Sequence, residues 1–190
     1  MRLWPSIPFG QLLTRVKDDI AVDDLTIYSR VTIRMNGNGV LLRDRVVGSE
    51  IGTKRQFIAR AGQFVLSKID ARNGAFGVVP PECDNAIVTG NFWVFQFDVD
   101  RVCSSYFRYL SRSPKFVDAC VRASDGTTNR QYLQEDAFLR MEVHLPPLKE
   151  QESIVRRLDT LGDKARQVNE HLDAIERDAA RLLAVSFRDA

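Results

Sequence analysis

The sequence predicts an α+β (mixed α/β) globular domain followed by a long C-terminal coiled-coil helix. Three observations carry that prediction. Short alternating runs of β-branched and aromatic residues, separated by Asn, Gly and Pro, recur through the first hundred residues. Two short helical runs follow, at Ser104 to Ser111 and Lys115 to Ala123, split at Pro114. After Leu145-Pro146-Pro147 a different period takes over and holds to the end of the sequence. The domain division is therefore 1–147 and 148–190.

The elements of the first region read in order as follows. Ile7 to Val16 reads as a short leading helix, with Trp4 and Phe9 as packing residues. Leu25 to Ile33 alternates and is rich in β-branched residues, so it reads as a strand. Asn36-Gly37-Asn38-Gly39 is a strong turn signal. Arg43 to Arg55 reads as a basic loop. Gln63 to Ile69, Phe76 to Val79, Ala86 to Thr89 and Phe92 to Phe97 read as strands between turns at Asn73-Gly74, Pro80-Pro81 and Gly90-Asn91. The aromatic alternation of Phe92 to Phe97, in an acidic neighbourhood, reads as a core strand rather than a base-stacking platform. Strands and helices are not regularly interleaved, which argues against a doubly wound parallel sheet.

The second region carries a seam at Ile154, Leu158, Leu161, Ala165, Val168, Leu172, Ile175, Ala179 and Leu182. The steps alternate four and three throughout, a heptad repeat, with mixed charges between. Pro147 suits the first helical position, and Glu150 and Glu152 suit the positive end of the helix dipole. At 1.5 Å per residue the helix is roughly 60 Å long, whereas a domain of this size is only about 30 Å across. The seam therefore needs a second helix, and no other segment of the chain matches it in length. A partner of matching length is a second copy of the same segment, so the expectation is a self-dimer through the C-terminal helix.

The 190 residues carry a net charge of only +2, but the charge is unevenly placed. Of 27 basic residues, 21 are Arg, the side chain suited to bidentate recognition of phosphate and guanine. Residues 30–72 hold nine basic residues against three acidic ones. Residues 73–100 hold four acidic residues and no basic one. Residues 101–130 return to a balance of +4, and 148–190 to −1. Near-neutrality thus conceals a polarised chain, which leaves a nucleic-acid partner open.

Familiar catalytic and cofactor signatures fail. Gly48-Ser49-Glu50-Ile51-Gly52-Thr53-Lys54 has the wrong spacing and order for a phosphate-binding loop. Asn36 to Gly39 lacks the third glycine of a dinucleotide fingerprint. His144 and His171, the two histidines, have no metal-ligand neighbours at zinc spacing, and there is no GxSxG elbow. Cys83, Cys103 and Cys120 are odd in number and form no CxxC pair, which fits a reducing cytoplasm better than a disulfide framework. Cys103 and Cys120, on the two short helices, read as buried thiols. No apolar run is long enough to span a bilayer. No cofactor and no membrane partner are expected. On the residues alone, two rival classes stay open beside a DNA-binding protein: a nuclease or methyltransferase domain without a familiar motif, and a coiled-coil adaptor that docks subunits without touching DNA.

Two stretches bring a family into view. Gly62 to Gly77 is one (Gly62-Gln63-Phe64-Val65-Leu66-Ser67-Lys68-Ile69-Asp70-Ala71-Arg72-Asn73-Gly74-Ala75-Phe76-Gly77). The other runs from Ser124-Asp125-Gly126-Thr127-Thr128-Asn129-Arg130 to His144-Leu145-Pro146-Pro147-Leu148-Lys149-Glu150-Gln151 and on to Val155. Together they resemble the DNA specificity subunit of type I restriction–modification enzymes over nearly the whole chain. The resemblance implies one target recognition domain, 1–147, and one spacer helix, 148–190. It implies a non-catalytic role in host defence, with double-stranded DNA, a DNA methyltransferase (modification) subunit and a restriction/motor subunit as partners. The usual subunit has two recognition domains and two helices that pair antiparallel. One of each here implies either a half-size subunit or part of a longer chain, and the lack of a helix terminator after Val185 fits a truncated one. Pairing of two copies would place two domains in opposite orientation on an interrupted palindrome. The expected DNA-contacting residues are Arg43, Arg45, Lys54, Arg55, Lys68, Arg72, Asn73, Thr127, Thr128, Asn129 and Arg130. Arg and Asn suit base edges, while Thr and Lys suit phosphate positioning.

Overall fold

The protein is described from a computed structural model, which covers residues 4–127 and 130–186. In chain order the strands are β1 (Ser6–Pro8), β2 (Leu13–Val16), β3 (Asp19–Ala21), β4 (Ile27–Arg34), β5 (Gly39–Val47), β6 (Arg55–Ala59), β7 (Phe64–Ser67), β8 (Phe76–Val78), β9 (Ala86–Val88) and β10 (Phe92–Phe97). Helices α1 (Ser104–Ser111) and α2 (Pro114–Arg122) follow. Then come β11 (Ser124–Thr127), β12 (Arg130–Leu133), α3 (Glu135–Leu139), β13 (Glu142–His144) and α4 (Leu148–Ser186). Residues 1–151 form one compact unit and 152–190 another, so the first turn of α4 belongs to the globular part.

Two sheets build the globular unit. One has the order β3-β6-β9-β4-β5 and the other β2-β10-β7-β8. The two remaining pairs are β1-β13 and β11-β12. Pairing is antiparallel except between β4 and β9, where Arg30 sits opposite Ile87. The four-stranded sheet is buried on both faces, because its central strands alternate two kinds of apolar residue. Val65 and Val94 pack with Val40, Ala59, Ala86 and Val88 of the other sheet. Phe64, Phe95 and Phe97 point the opposite way, towards the helices. There Phe64 and Phe107 have ring centroids 5.0 Å apart, Phe76 and Phe116 5.0 Å, and Phe9 and Phe138 5.2 Å. The five-stranded sheet covers its outer face with a smaller cluster of Val22, Tyr28, Ile51 and Ile87.

Local chemistry accounts for the joints. The β4–β5 hairpin turns on Asn36 and Gly37, with φ of 60° and 68°, the left-handed geometry a tight hairpin needs. α2 starts at Pro114, and the Ser113 hydroxyl accepts a hydrogen bond from the Phe116 amide at 3.3 Å.

The expected strands, both short helices and the long helix are present. Phe92 to Phe97 is a core strand as expected, with Val94, Phe95 and Phe97 buried. Three expectations need correction. Ile7 to Val16 is not a helix: it is β1, a 3-10 turn (Phe9–Gln11) and β2. Its backbone is claimed by partners distant in sequence, β13 for β1 and β10 for β2, so long-range pairing overrides local preference. Arg43 to Arg55 is not a loop. It is the end of β5, a 3-10 turn (Gly48–Glu50) and the start of β6. Cys103 is half-buried rather than buried, because it lies just outside the helix it caps. The globular unit includes the first turn of α4, to Gln151.

Two outcomes test this packing. Phe64 is fully buried against four other rings, so Phe64→Ala should lower the unfolding free energy by about 3–5 kcal/mol in denaturant titration. Burial pushes the Cys120 thiol up to about 12. Iodoacetamide at about pH 8 should therefore leave Cys120 unmodified in the native protein and alkylate it in guanidinium, as read by mass spectrometry.

Candidate nucleic-acid interface

Two tight turns meet at one end of the β4–β5 hairpin. The Asn36 amide donates to the Asn73 carbonyl at 2.8 Å, and the Gly37 amide to the Gly74 carbonyl at 2.9 Å. Gly74 has a φ of 77°, and a Cβ there would sit 2.8 Å from both donor amides, so only glycine fits. The Arg112 Nε, from the α1–α2 junction, donates to the Gly37 carbonyl at 2.9 Å. This arrangement presents Arg72 and Asn73 on a 3-10 turn (Ala71–Asn73) beside the β11–β12 hairpin. The Arg72 guanidinium donates to Gln131 Oε1, and the Lys68 carbonyl accepts from the Leu133 amide at 2.7 Å. Asn73 is exposed, and its Nδ2 donates to Asp70 Oδ1 at 3.2 Å. Lys68, Arg72, Asn73 and the backbones of Thr127 and Arg130 thus come together in one surface region. Thr128 and Asn129 lie outside the described residues.

A second group sits on β5. Arg30 grips Asp44 across the hairpin with two bonds of 2.7 Å each. Arg43 occupies a bulge in the β4–β5 ladder, and its Nε donates to the same carboxylate at 3.2 Å. Hydrogen bonding from Arg30 holds the Asp44 carboxyl below its ordinary range and the Arg30 guanidinium above its own. Arg45 is exposed opposite Ser29 and makes no ion pair among the described residues. A cleft of about 390 Å³ lies over this part of the sheet and collects Arg30, Thr32, Arg43, Thr53, Gln56 and Thr89.

The remaining candidates, Lys54 and Arg55, stand apart. β6 is separated from β5 by β9 and β4. The Lys54 ammonium is tied to Asp24 Oδ1 at 2.5 Å and to the Gly48 carbonyl at 2.8 Å, so it holds two loops together. Arg55 pairs with Asp19 across the β3–β6 edge at 3.2 Å and is largely exposed. Among the described residues, the expected positions therefore do not form one patch. Sequence reading also passed over Arg30, Thr32, Thr53, Gln56 and Thr89. Only pairing register and the cleft reveal them, apart from the polar, exposed pattern of β4.

On α4 the seam is uncovered. Leu161, Val168, Leu172, Ile175 and Leu182 are 61%, 56%, 52%, 63% and 69% exposed. Ala165 and Ala179 are exposed as well, and Ile154 and Leu158 are half-buried. Among the described residues no His, Cys, Asp or Glu cluster is placed to hold a metal ion, and no helix is long and apolar enough to cross a membrane.

The model of the type I restriction modification DNA specificity domain matches residues 16–177. The chain belongs to that family. Solved structures agree on the fold of this specificity-domain chain. The HsdS subunit from Thermoanaerobacter tengcongensis matches with a TM-score of 0.79 at 18% identity, over 96% of this chain and 48% of that one. A chain from a study of complex assembly and conformational transition in the type I R-M system matches with a TM-score of 0.72 at 19% identity, over 94% and 47%. The type I restriction–modification S subunit from M. genitalium matches with a TM-score of 0.58 at 10% identity, over 86% and 40%. The specificity-domain chain thus spans about half the length of the structures it matches. No curated protein matches it in sequence.

The Arg30–Asp44 grip sets a pH dependence. The carboxyl of Asp44 is depressed in the folded state, so its stabilisation is present above the ordinary carboxylate range and is lost as pH falls through the depressed value. Asp44→Asn should remove that part of the acid sensitivity. Denaturation midpoints measured from neutral to acid pH should fall less steeply for the variant than for the parent.

Proposed function

We propose that this chain is a non-catalytic specificity component that binds double-stranded DNA through residues 1–147. In this reading it directs a DNA methyltransferase subunit and a restriction/motor subunit to a bipartite target. The family match over residues 16–177 is the observation that carries it. The polarised arginine distribution and the failure of catalytic motifs support it. Arg72 and Asn73 on their presented turn, with Arg43 and Arg45 on β5, are the base-edge candidates. Lys68, Thr127, Thr128, Asn129 and Arg130 are the neighbouring positions that would grip the backbone or read beside it. Arg55 contributes from the far side of the sheet, and Lys54 acts mainly as a loop tie.

The second half of the target is read by a second copy. Two α4 helices pair antiparallel through the seam from Ile154 to Leu182, whose middle residue Val168 then faces its own copy. The exposure of five large seam residues favours this pairing. A two-fold axis makes the target an interrupted palindrome, with the gap set by the helix.

Mapping of methylated sites after co-expression with the methyltransferase tests the reading. The expected result is two inverted half-sites at a fixed gap, and methylation without a bipartite motif would count against it. Light scattering should give a dimer at micromolar concentration, and Val168→Glu, which places two carboxylates face to face in the seam, should give a monomer. Arg72→Ala and Arg130→Ala should each weaken the cognate duplex. The loss is about 1–3 kcal/mol for a base contact, or a salt-dependence slope lower by about 1 for a phosphate contact.

A further inference from the structure

The first turn of α4, which belongs to the globular unit, contains a polar side chain that is wholly enclosed. Gln151 is 0% exposed, the most buried polar residue among those described. Its backbone amide donates to the Pro147 carbonyl at 3.0 Å, so it lies in the first turn of α4. Its side-chain amide uses both protons: Nε2 donates to the Arg101 carbonyl at 2.8 Å and to the Pro146 carbonyl at 2.8 Å. Oε1 accepts from the Cys103 amide at 2.9 Å. Three of its four hydrogen-bonding positions are therefore taken, all by main chain.

Those partners are not incidental. Arg101 and Cys103 belong to the connection from β10 into α1, and Cys103 is the residue before the first turn of α1. Pro146 belongs to the approach to α4. One amide thus ties the first turn of the long helix to the connection that follows a core strand and to the start of a packed helix. An aliphatic side chain could fill the same space but has no preferred orientation. A saturated amide accepts only one, because each tilt lengthens a bond in an enclosed site where water cannot replace it.

The size of α4 makes that orientation consequential. Over a helix of roughly 60 Å a tilt of about 3° moves the far end by about 3 Å, close to one base-pair step. We propose that Gln151 is a positioning residue that fixes the first turn of α4 within the globular unit, and through it the gap length that the dimer accepts between its half-sites. The inference rests on the bipartite reading given above.

The test compares gap tolerance in the full chain co-expressed with its methyltransferase. Gln151→Met keeps length and apolar volume but removes the three bonds. Cys103→Pro removes the accepted bond from the other side and leaves Gln151 in place, and the Cys103 φ of −78° suits proline. The wild-type chain should methylate one gap length. Each variant, once shown by thermal unfolding and light scattering to be a folded dimer, should methylate targets one base pair longer or shorter. Preference for the original gap should fall about tenfold or more. A folded variant that keeps the single gap at wild-type preference overturns the proposal, as does failure of both variants to fold, which would make the amide a tie of the fold alone. Absence of any bipartite target for the wild-type chain is a different failure: it overturns the functional reading and this inference with it.

Discussion

Strands β7 and β10 carry apolar residues on both faces, and the five-stranded sheet covers one face while the short helices cover the other. Their small aliphatic face, Val65 and Val94, accepts the five-stranded sheet at close range. Their phenylalanine face, Phe64, Phe95 and Phe97, needs a thicker cover, which α1, α2 and α3 provide through Phe107, Phe116 and Phe138. Interiors pack as densely as organic crystals, so a strand buried on both sides dictates the contour of both neighbours. The position of the five-stranded sheet follows from this, and so does the place where its hairpin tip meets the Asn73-Gly74 turn.

The polar groups follow the same scaffold. The basic residues of 30–72 are dispersed by sheet order, with Arg43 and Arg45 on one edge strand and Arg55 on the far side. Several of them are held by acids. Arg30 has Asp44, Lys54 has Asp24 and Arg55 has Asp19. Exposed pairs of this kind contribute little stability, but they fix where a guanidinium points. The residues best placed to act outward are Arg72, whose guanidinium is held by the neutral Gln131 amide, and Arg45, which makes no ion pair among the described residues. The specificity-domain fold and the polarised charge are in this sense one feature: an aromatic core that supports a basic surface made of turns and an edge strand.

Much of this was legible from the residues. The strand run from Gln63 to Phe97 stands out because alternation and turn residues agree there. The short helices stand out because Pro114 divides them. The long helix stands out because its heptad period persists. The leading segment was misread because the run from Ile7 to Val16 looks helical in isolation, while its hydrogen bonds go to β13 and β10, far away in sequence. The run from Arg43 to Arg55 reads as a loop because Arg43, Asp44 and Arg45 mask the period at the end of β5, and the bulge at Arg43 shifts it by one residue. The candidate DNA-contacting residues are the least legible. Charge identifies Arg43, Lys54 and Arg72 equally, but only register and hydrogen bonding separate an outward arginine from a loop tie.

The sequence by itself determined the class of the protein, the presence of its long helix and the apolar seam along it, because these depend on periodicity and on motifs contiguous in the chain. Tertiary structure alone decided which basic residues share a surface, that Gly74 must be glycine, and that Gln151 is an enclosed tie rather than one more polar residue on a helix. Each of these depends on a partner dozens of residues away. Sequence order does not record such neighbours, and the physical chemistry of a side chain is settled by what surrounds it.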